Sequence, residues 1–269
     1  MLLLAATLET AAQSWVSNVY AGSYSTSLGH VDGPLLNATF WTPLGNNLMF
    51  FQNGTLLIAD QTKIRVVDPG GSSTRTIIDA TADPTTTYKG ICMNQVTGAV
   101  YVMNYGRRQV ERIYLNGTKV ALFSQSWDFY PSACAVHPTS GNIIVGSTGR
   151  NVNIFNPTTS VLTALLDGTQ RATVNAIGTA SITHEVYCVW VEPSSGDIIF
   201  CDYGNSDGTG LGAIRRYSLS STATTTVFNV TQPISVTPDA TGANWCVRQW
   251  LLLVCLCSPV NILTGTFGT

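Results

Sequence analysis

Five glycines recur along the chain at nearly regular intervals, and each lies in a short polar turn before an apolar stretch. They are Gly54, Gly98, Gly141, Gly196 and Gly242, separated by 44, 43, 55 and 46 residues. After the first four, the apolar stretch ends six positions later on a short polar residue, in turn Asp60, Asn104, Ser147 and Asp202. Short polar side chains at such places accept hydrogen bonds from the turn that follows, so we expect each of the four to cap a turn.

The stretch from Val19 to Ile78 shows the plan of one unit, which is four apolar segments separated by turns. The predicted third strands are Ile64–Asp68, Val110–Leu115, Val152–Asn156 and Ile214–Leu219. The predicted fourth strands are Arg75–Ile78, Val120–Phe123, Val161–Leu165 and Thr224–Phe228. Four strands in a period near 45 residues are typical of one propeller blade. We therefore predict an all-β fold, a β-propeller of about five four-stranded blades.

The fifth unit departs from the pattern, because Arg248 stands where Asp or Asn is expected. Its predicted strands are Pro233–Pro238, Ala243–Val247, Trp250–Cys257 and Val260–Phe267. The sequence thus predicts an incomplete or irregular closing blade.

The start of the chain allows two interpretations. Residues 1–22 are either a signal segment, with an apolar run near Ala11 and Ala12, or the strands Leu2–Leu8 and Ser14–Gly22 of an incomplete blade. The propeller domain is assigned to residues 19–269.

Charge is sparse for a chain of 269 residues. Asp, Glu, Lys and Arg make up 10% of it, against a usual share of about 25%, and the net charge is −2. The 13 basic residues are scattered, so nothing indicates a nucleic acid or an anionic membrane as partner.

The apolar run Gln249–Val260 is too short to span a bilayer, and Pro259 interrupts it. No stable transmembrane span is predicted.

The first unit resembles the NHL-repeat β-propellers, a six-bladed, TolB-like type. The resemblance lies in Ala21-Gly22, Asp32-Gly33, Asn37-Ala38-Thr39-Phe40, Pro43 and Gly45, followed by LLIAD and KIRVVD. It extends in outline to Val230 and implies a radial array of four-stranded sheets around a central channel. Because such propellers commonly close with six blades, it also implies a truncated member of the family.

In such a propeller the first strand of each blade lines the channel, which sorts the loop residues between two ends. One end carries His30, Asp32, Arg107, Arg108, Arg150, His184, Asn205 and Asp207, and the other carries Asn53, Asn116, His137 and Ser195. Tyr105 and Tyr203 occupy equivalent places beside the first group. Tyr and Arg are enriched at binding hot spots. We predict a binding rim that comprises Tyr105, Arg107, Arg108, Arg150, Tyr203, Asn205 and Asp207, with the two tyrosines on either side of Arg150.

Related propellers that hold a metal use histidines or inner-strand acids and amides. Here His137 falls at the opposite end from His30 and His184, which is wrong for one zinc site. The inner strands are nearly all apolar and leave only Asn94 and Glu185 as isolated candidates, whereas a hard cation needs several oxygens. The sequence therefore predicts no metal and no cofactor, and it does not favour enzyme activity.

The chain has seven cysteines. Cys92, Cys134 and Cys188 fall at what look like equivalent places on first strands, which favours free thiols packed in the core. Only Cys188 and Cys201, on either side of one turn, are placed to pair. Four Asn-x-Ser/Thr glycosylation motifs occur, at Asn37, Asn53, Asn116 and Asn229. Chance alone produces this many motifs in a chain so rich in Ser and Thr.

The function that these observations favour is a non-catalytic scaffold, secreted or at the cell surface, that binds protein or glycan partners through rim loops. The alternative is a metal-dependent hydrolase or lyase of the propeller type, using Glu185, Asn94 or the histidines.

Overall fold

The structure is a computed structural model, and it describes residues 21–22, 29–41, 47–51, 53–68, 70, 72–123, 128–166, 185–204, 212–238, 244–249, 255–261 and 266–267. The two interpretations of residues 1–22 concern a segment that lies almost wholly outside this range. The described residues contain no helix long and apolar enough to cross a membrane.

The described strands form five antiparallel sheets, which we call blades 1 to 5. Blade 1 contains β1 (Gly33–Pro34), β2 (Leu48–Phe50), β3 (Leu56–Asp60), β4 (Lys63–Val67) and β5 (Ser73–Asp79). Blade 2 contains β6 (Tyr88–Met93), β7 (Val100–Asn104), β8 (Gln109–Ile113) and β9 (Lys119–Ala121). Blade 3 contains β10 (Pro131–Val136), β11 (Ile143–Ser147), β12 (Val152–Asn156) and β13 (Val161–Leu166). Blade 4 contains β14 (Val186–Val191), β15 (Ile198–Asp202), β16 (Ala213–Tyr217) and β17 (Thr224–Asn229). Blade 5 contains β18 (Pro233–Pro238), β19 (Asn244–Gln249), β20 (Cys255–Asn261) and β21 (Thr266–Phe267).

These blades confirm the predicted four-stranded units. The second strands of blades 1 to 4 end at Asp60, Asn104, Ser147 and Asp202, as the glycine period predicts. Blade 1 has an additional strand, since β1 pairs with the outer side of β5. In blade 5 the third strand begins at Cys255 rather than at Trp250, because the continuous apolar run after Gln249 contains no residue that marks a turn.

Successive blades pack against each other, and neighbouring side chains of one strand contact the blades on opposite sides. Ile91 and Met93 of β6 belong to the cluster between blades 1 and 2, whereas Cys92 between them belongs to the cluster between blades 2 and 3. The first strands also approach closely. Gly90 has φ +49°, and a Cβ added to it would lie 2.9 Å from the Ala133 Cα of blade 3. The first strands are therefore the inner strands of the array, and the core consists of the layers between blades.

The four residues that close the second strands follow two different schemes. Asn104 Oδ1 accepts from Arg107 N (3.0 Å) and Ser147 Oγ accepts from Gly149 N (3.1 Å), as expected of turn caps. The carboxylate of Asp60 instead bonds to the buried Arg65 of the third strand, which corrects the prediction for that position. Asp202 bonds to the buried Arg215 in the same way, and the turn that it was predicted to cap lies largely outside the described residues. A carboxylate that is fully buried needs a cationic partner, and a turn amide does not neutralise its charge.

Four of the cysteines form disulfides, so the prediction of free thiols was wrong for them. Cys188 and Cys201 lie directly opposite each other on β14 and β15, with their Cα atoms 5.1 Å apart. Cys92 and Cys134 join the inner strands of blades 2 and 3 across a Cα–Cα distance of 5.7 Å. The places of Cys92 and Cys134 are not equivalent. Cys92 is paired with Tyr101, three residues before the end of its second strand, and Cys134 with Val145, only two before. This offset of one residue turns the two side chains toward each other, since neighbours on a strand face opposite sides.

Candidate functional site

Four tyrosines and three charged residues meet where the inner strands of blades 2, 3 and 4 begin, which we call the upper end. We name them the tyrosine-rich surface. Its members are Lys89, Tyr105, Arg108, Tyr130, Glu185, Tyr187 and Tyr203.

The first half of this surface comes from blades 2 and 3. The rings of Tyr105 and Tyr130 have centroids 5.0 Å apart. The guanidinium of Arg108 lies 4.2 Å from the Tyr130 ring centroid and donates to the Tyr130 hydroxyl (2.5 Å). The ammonium of Lys89 lies 3.8 Å from the centroid of Tyr105. Two cations are thus held against two aromatic faces, an arrangement that limits the rotamers of all four side chains.

The second half comes from blade 4. The rings of Tyr187 and Tyr203 have centroids 4.9 Å apart, and the Tyr187 hydroxyl donates to Glu185 Oε2 (2.9 Å). The charge of Glu185 in blade 4 raises the pKa of Lys89 in blade 2, and Tyr105 in blade 2 raises the pKa of Tyr187 in blade 4. The two halves of the surface therefore adjoin.

The backbone fixes the positions of Tyr105, Tyr203 and Tyr187 at the upper end. Tyr105 N donates to Thr87 O (2.7 Å), and Tyr203 N donates to Glu185 O (3.0 Å). In blades 2 and 4, the turn after the second strand is therefore hydrogen-bonded to the residue that directly precedes the inner strand. Tyr187 is the extra residue of a β-bulge between Val186 and Cys188, and bulges re-aim side chains in this way.

Burial controls the titration of this surface. It raises the pKa of Tyr187, and the Glu185 carboxylate adds to that effect. Burial and Glu185 also raise the pKa of Tyr203. Burial lowers the pKa of Lys89, while Glu185 opposes that shift. Tyr187 and Tyr203 are therefore neutral at physiological pH. Tyr187 is partly exposed, whereas Tyr203 is only 8% exposed and contacts the Tyr187 ring.

The structure brings only part of the predicted rim together. Tyr105, Arg108 and Tyr203 belong to the tyrosine-rich surface, whereas Arg107 forms an ion pair with Asp83 (2.6 Å). Arg150 lies in the equivalent turn of blade 3 with φ 72°, and its place between the two tyrosines stays a prediction. Asn205 and Asp207 lie outside the described residues.

Sequence reasoning missed Lys89, Tyr130 and Tyr187, which come from the starts of inner strands rather than from loops. It singled out Glu185 only as an isolated metal candidate. A usable signal was present, since Lys89, Tyr130 and Tyr187 all lie near the first residue of an inner strand and are large polar residues beside apolar ones.

The residues considered for metal binding are separated. His30 Nδ1 lies 3.0 Å from Asp60 Oδ2 in blade 1. Asn94 lies in the hairpin after β6, where its Oδ1 accepts from Val96 N and Thr97 N (both 3.0 Å). Glu185 lies at the other end of the array, so Asn94 and Glu185 do not share one cation. Within the described ranges, which exclude His184, no three His, Cys, Asp or Glu side chains form a group able to hold a metal ion.

Comparison with known proteins gives matches in structure alone. No protein-family model and no curated protein matches the chain, so the resemblance to NHL repeats stays a prediction. A chain of a nidogen/laminin complex superposes with a TM-score of 0.56 at 17% identity, over 73% of this chain and 70% of that one. The chain is a β-propeller.

Two enzymes have the same propeller fold. Virginiamycin B lyase from Staphylococcus aureus gives a TM-score of 0.55 at 13% identity, covering 82% of this chain and 70% of the lyase. A gluconolactonase from Xanthomonas campestris gives 0.52 at 12% identity, covering 65% of this propeller and 58% of that chain. At these identities the likeness is one of fold.

Proposed function

We propose that this propeller is a non-catalytic scaffold that binds a protein or glycan partner on the tyrosine-rich surface. The observation that carries the proposal is the convergence of four tyrosines, Lys89 and Arg108 from three successive blades. Of the other predicted rim residues, Arg107 and Arg150 are proposed to border this surface, and Asn205 and Asp207 lie outside the described residues.

The chemistry of the surface suits binding. Tyrosine offers a large, rigid contact area with a polar tip, and Tyr and Arg carry much of the energy at protein interfaces. A contact between the tilted rings of Tyr105 and Tyr130, and a cation–π contact from Arg108, already limit the motion of these three side chains. Association therefore costs less side-chain entropy than it does for mobile residues.

The hydrolase or lyase alternative has less support from named residues. Its candidate ligands Asn94 and Glu185 lie at opposite ends of the array, and the Asn94 oxygen is already used by a turn. The fold itself does not choose between the two functions, because propellers of similar structure include both enzymes and a member of a protein complex.

Replacement of Tyr105 and Arg108 by alanine tests the proposal. Loss of one hot spot of about 2 kcal/mol weakens binding roughly 30-fold, so we expect at least that loss for Tyr105→Ala/Arg108→Ala. Labelled protein is titrated onto cultured cells before and after glycosidase treatment, which separates a glycan partner from a protein partner.

The matched control is Phe50→Ala/Arg75→Ala, which removes an exposed aromatic side chain and an exposed arginine of blade 1, outside the tyrosine-rich surface. We expect it to bind like the wild type. Undiminished binding by the folded Tyr105→Ala/Arg108→Ala variant contradicts the proposal. Stoichiometric metal in the purified protein supports the enzyme alternative instead.

We also propose a secreted or cell-surface location. Two disulfides are typical of oxidising compartments. The asparagines of all four glycosylation motifs, Asn37, Asn53, Asn116 and Asn229, are exposed. Expressed through the secretory pathway of a eukaryotic cell, the protein should carry glycans at Asn53 and Asn116, which peptide mass spectrometry detects. Bare asparagines at both positions in secreted protein contradict this part of the proposal.

A further inference from the structure

A cavity of about 310 Å³ lies between blades 2 and 3 at the lower end, where the hairpins between first and second strands emerge. Its lining is polar and includes Asn94, Arg112, Ser140, Asn142, Asn156 and Thr158. The described residues that line it include no Asp or Glu. A second cavity of about 260 Å³ continues from it along blade 3 and shares Asn142 and Asn156 with it.

Arg112 supplies the charge of this cavity. It stands opposite Tyr101 in the pairing of β7 with β8, and Tyr101 belongs to the layer between blades 2 and 3. Its Nε is buried and has no acceptor among the described residues. The guanidinium lies 5.1 Å from the Tyr114 ring centroid. A buried donor without an acceptor is costly, so an acceptor brought by a ligand is favoured here.

Two asparagine amides add donors. The Oδ1 of Asn94 accepts from Val96 N and Thr97 N, and the Oδ1 of Asn156 accepts from Thr158 N (2.9 Å) and Thr159 N (3.1 Å). Because backbone amides only donate, these bonds identify the oxygen of each side chain and leave its NH₂ group on the other side. A Cβ added to Gly141, another lining residue, would lie 3.1 Å from Asn94 Nδ2, so this amide is at the cavity wall.

We propose that the lower cavity binds the carboxylate-bearing sugar of an acidic glycan, a uronic acid residue. Arginine pairs with a carboxylate through two parallel hydrogen bonds, and the amides of Asn94 and Asn156 are suited to the remaining oxygens. The hydroxyl and amide lining suits sugar hydroxyls better than an apolar ligand. A volume near the lower limit for ligand pockets fits one sugar residue, and the second cavity fits the next residue of the chain.

This inference does not rest on the proposed function, because the lower cavity and the tyrosine-rich surface are at opposite ends of the propeller. Failure at either site leaves the other testable.

The test titrates the whole protein with sodium glucuronate, glucose and sodium acetate, and follows the Arg112 Nε–H resonance by NMR together with the heat of binding. Glucuronate should shift that resonance and bind at least about tenfold tighter than either glucose or acetate. Arg112→Gln should weaken glucuronate binding at least about tenfold, whereas the control Arg75→Gln should bind normally.

Several results overturn the proposal. Equal binding of acetate and glucuronate indicates a simple anion site, and equal binding of glucose shows that the carboxylate is not recognised. An unshifted Arg112 resonance at saturating glucuronate places any binding elsewhere. That measurement uses wild-type protein, so the test stands even if Arg112→Gln fails to fold.

Discussion

Replacing Arg65 with methionine should lower the free energy of unfolding by about 3 to 5 kcal/mol, the usual cost of removing one partner from a buried ion pair. Arg65 is fully buried, and its partner Asp60 is fully buried as well. Methionine fills much of the same volume but leaves the Asp60 carboxylate without its buried cation. Urea unfolding of the wild type and the variant measures the difference.

Arg65 also holds the segment 29–41 against blade 1. It donates to Asp32 Oδ1 (2.8 Å), to the carbonyl of Val31 (2.6 Å) and to the carbonyl of Thr39. Its guanidinium lies 4.5 Å from the centroid of the Phe40 ring. In Arg65→Met we therefore expect faster hydrogen exchange across this segment than in the rest of the blade.

The matched control is Arg75→Met, which removes an exposed ion pair with Asp68 and should cost no more than about 1 kcal/mol. Asp60→Leu/Arg65→Met should recover part of the loss, since no unpaired buried charge remains at that position. A loss in Arg65→Met no larger than that in Arg75→Met contradicts the argument.

Acid provides a second check on Arg65. Burial raises the pKa of Asp32, but hydrogen bonds from Thr76 and Arg65 outweigh it and the pKa is lowered overall. A carboxylate with a lowered pKa stabilises the fold above its unfolded pKa of about 3.9 and loses that contribution as the pH falls. The stability difference between wild type and Arg65→Met should therefore narrow below about pH 4.

Removing the disulfide between blades 2 and 3 with Cys92→Ala/Cys134→Ala should destabilise the protein by about 4 kcal/mol and lower the thermal midpoint by about 10 °C. The bond closes a loop with a sequence separation of 42 residues and restricts the unfolded chain accordingly. Thermal unfolding with and without reductant measures the effect. The wild type should lose stability on reduction, and the variant should lose less.

Cys188→Ala/Cys201→Ala is the comparison for this experiment. Its sequence separation is 13 residues, so the same entropy argument gives a smaller cost of about 3 kcal/mol. Peptide mapping without reduction should recover Cys92 linked to Cys134. Free thiols at both positions, or an unchanged thermal midpoint in Cys92→Ala/Cys134→Ala, would show that blades 2 and 3 are not joined in this way.

The ion pair of Asp60 with Arg65 in blade 1 has a counterpart in another repeat of the sequence, although the prediction of turn caps overlooked it. Blades 1 and 4 each end the second strand on Asp and carry a buried Arg on the third strand, Arg65 or Arg215. In blade 2 the second strand ends on Asn104, and Glu111 occupies the third-strand position that corresponds to those arginines. The two side chains are bonded here as well, since Asn104 Nδ2 donates to Glu111 Oε1 (2.8 Å). Comparison of the repeats with one another reveals this coupled change without a structure.

By itself, the sequence determined the four-stranded unit, its period and the ends of the second strands in blades 1 to 4. These features depend on turns and alternating apolar residues, which act over a few neighbouring positions. Only the tertiary structure decided that Cys92 bonds to Cys134, that Tyr105 contacts Tyr130 and that Arg112 lines a cavity between blades. Each of these contacts crosses from one blade to the next or depends on a register offset of one residue. A shift of that size reverses the face on which a strand residue lies, and the repeat pattern does not define the register to that accuracy.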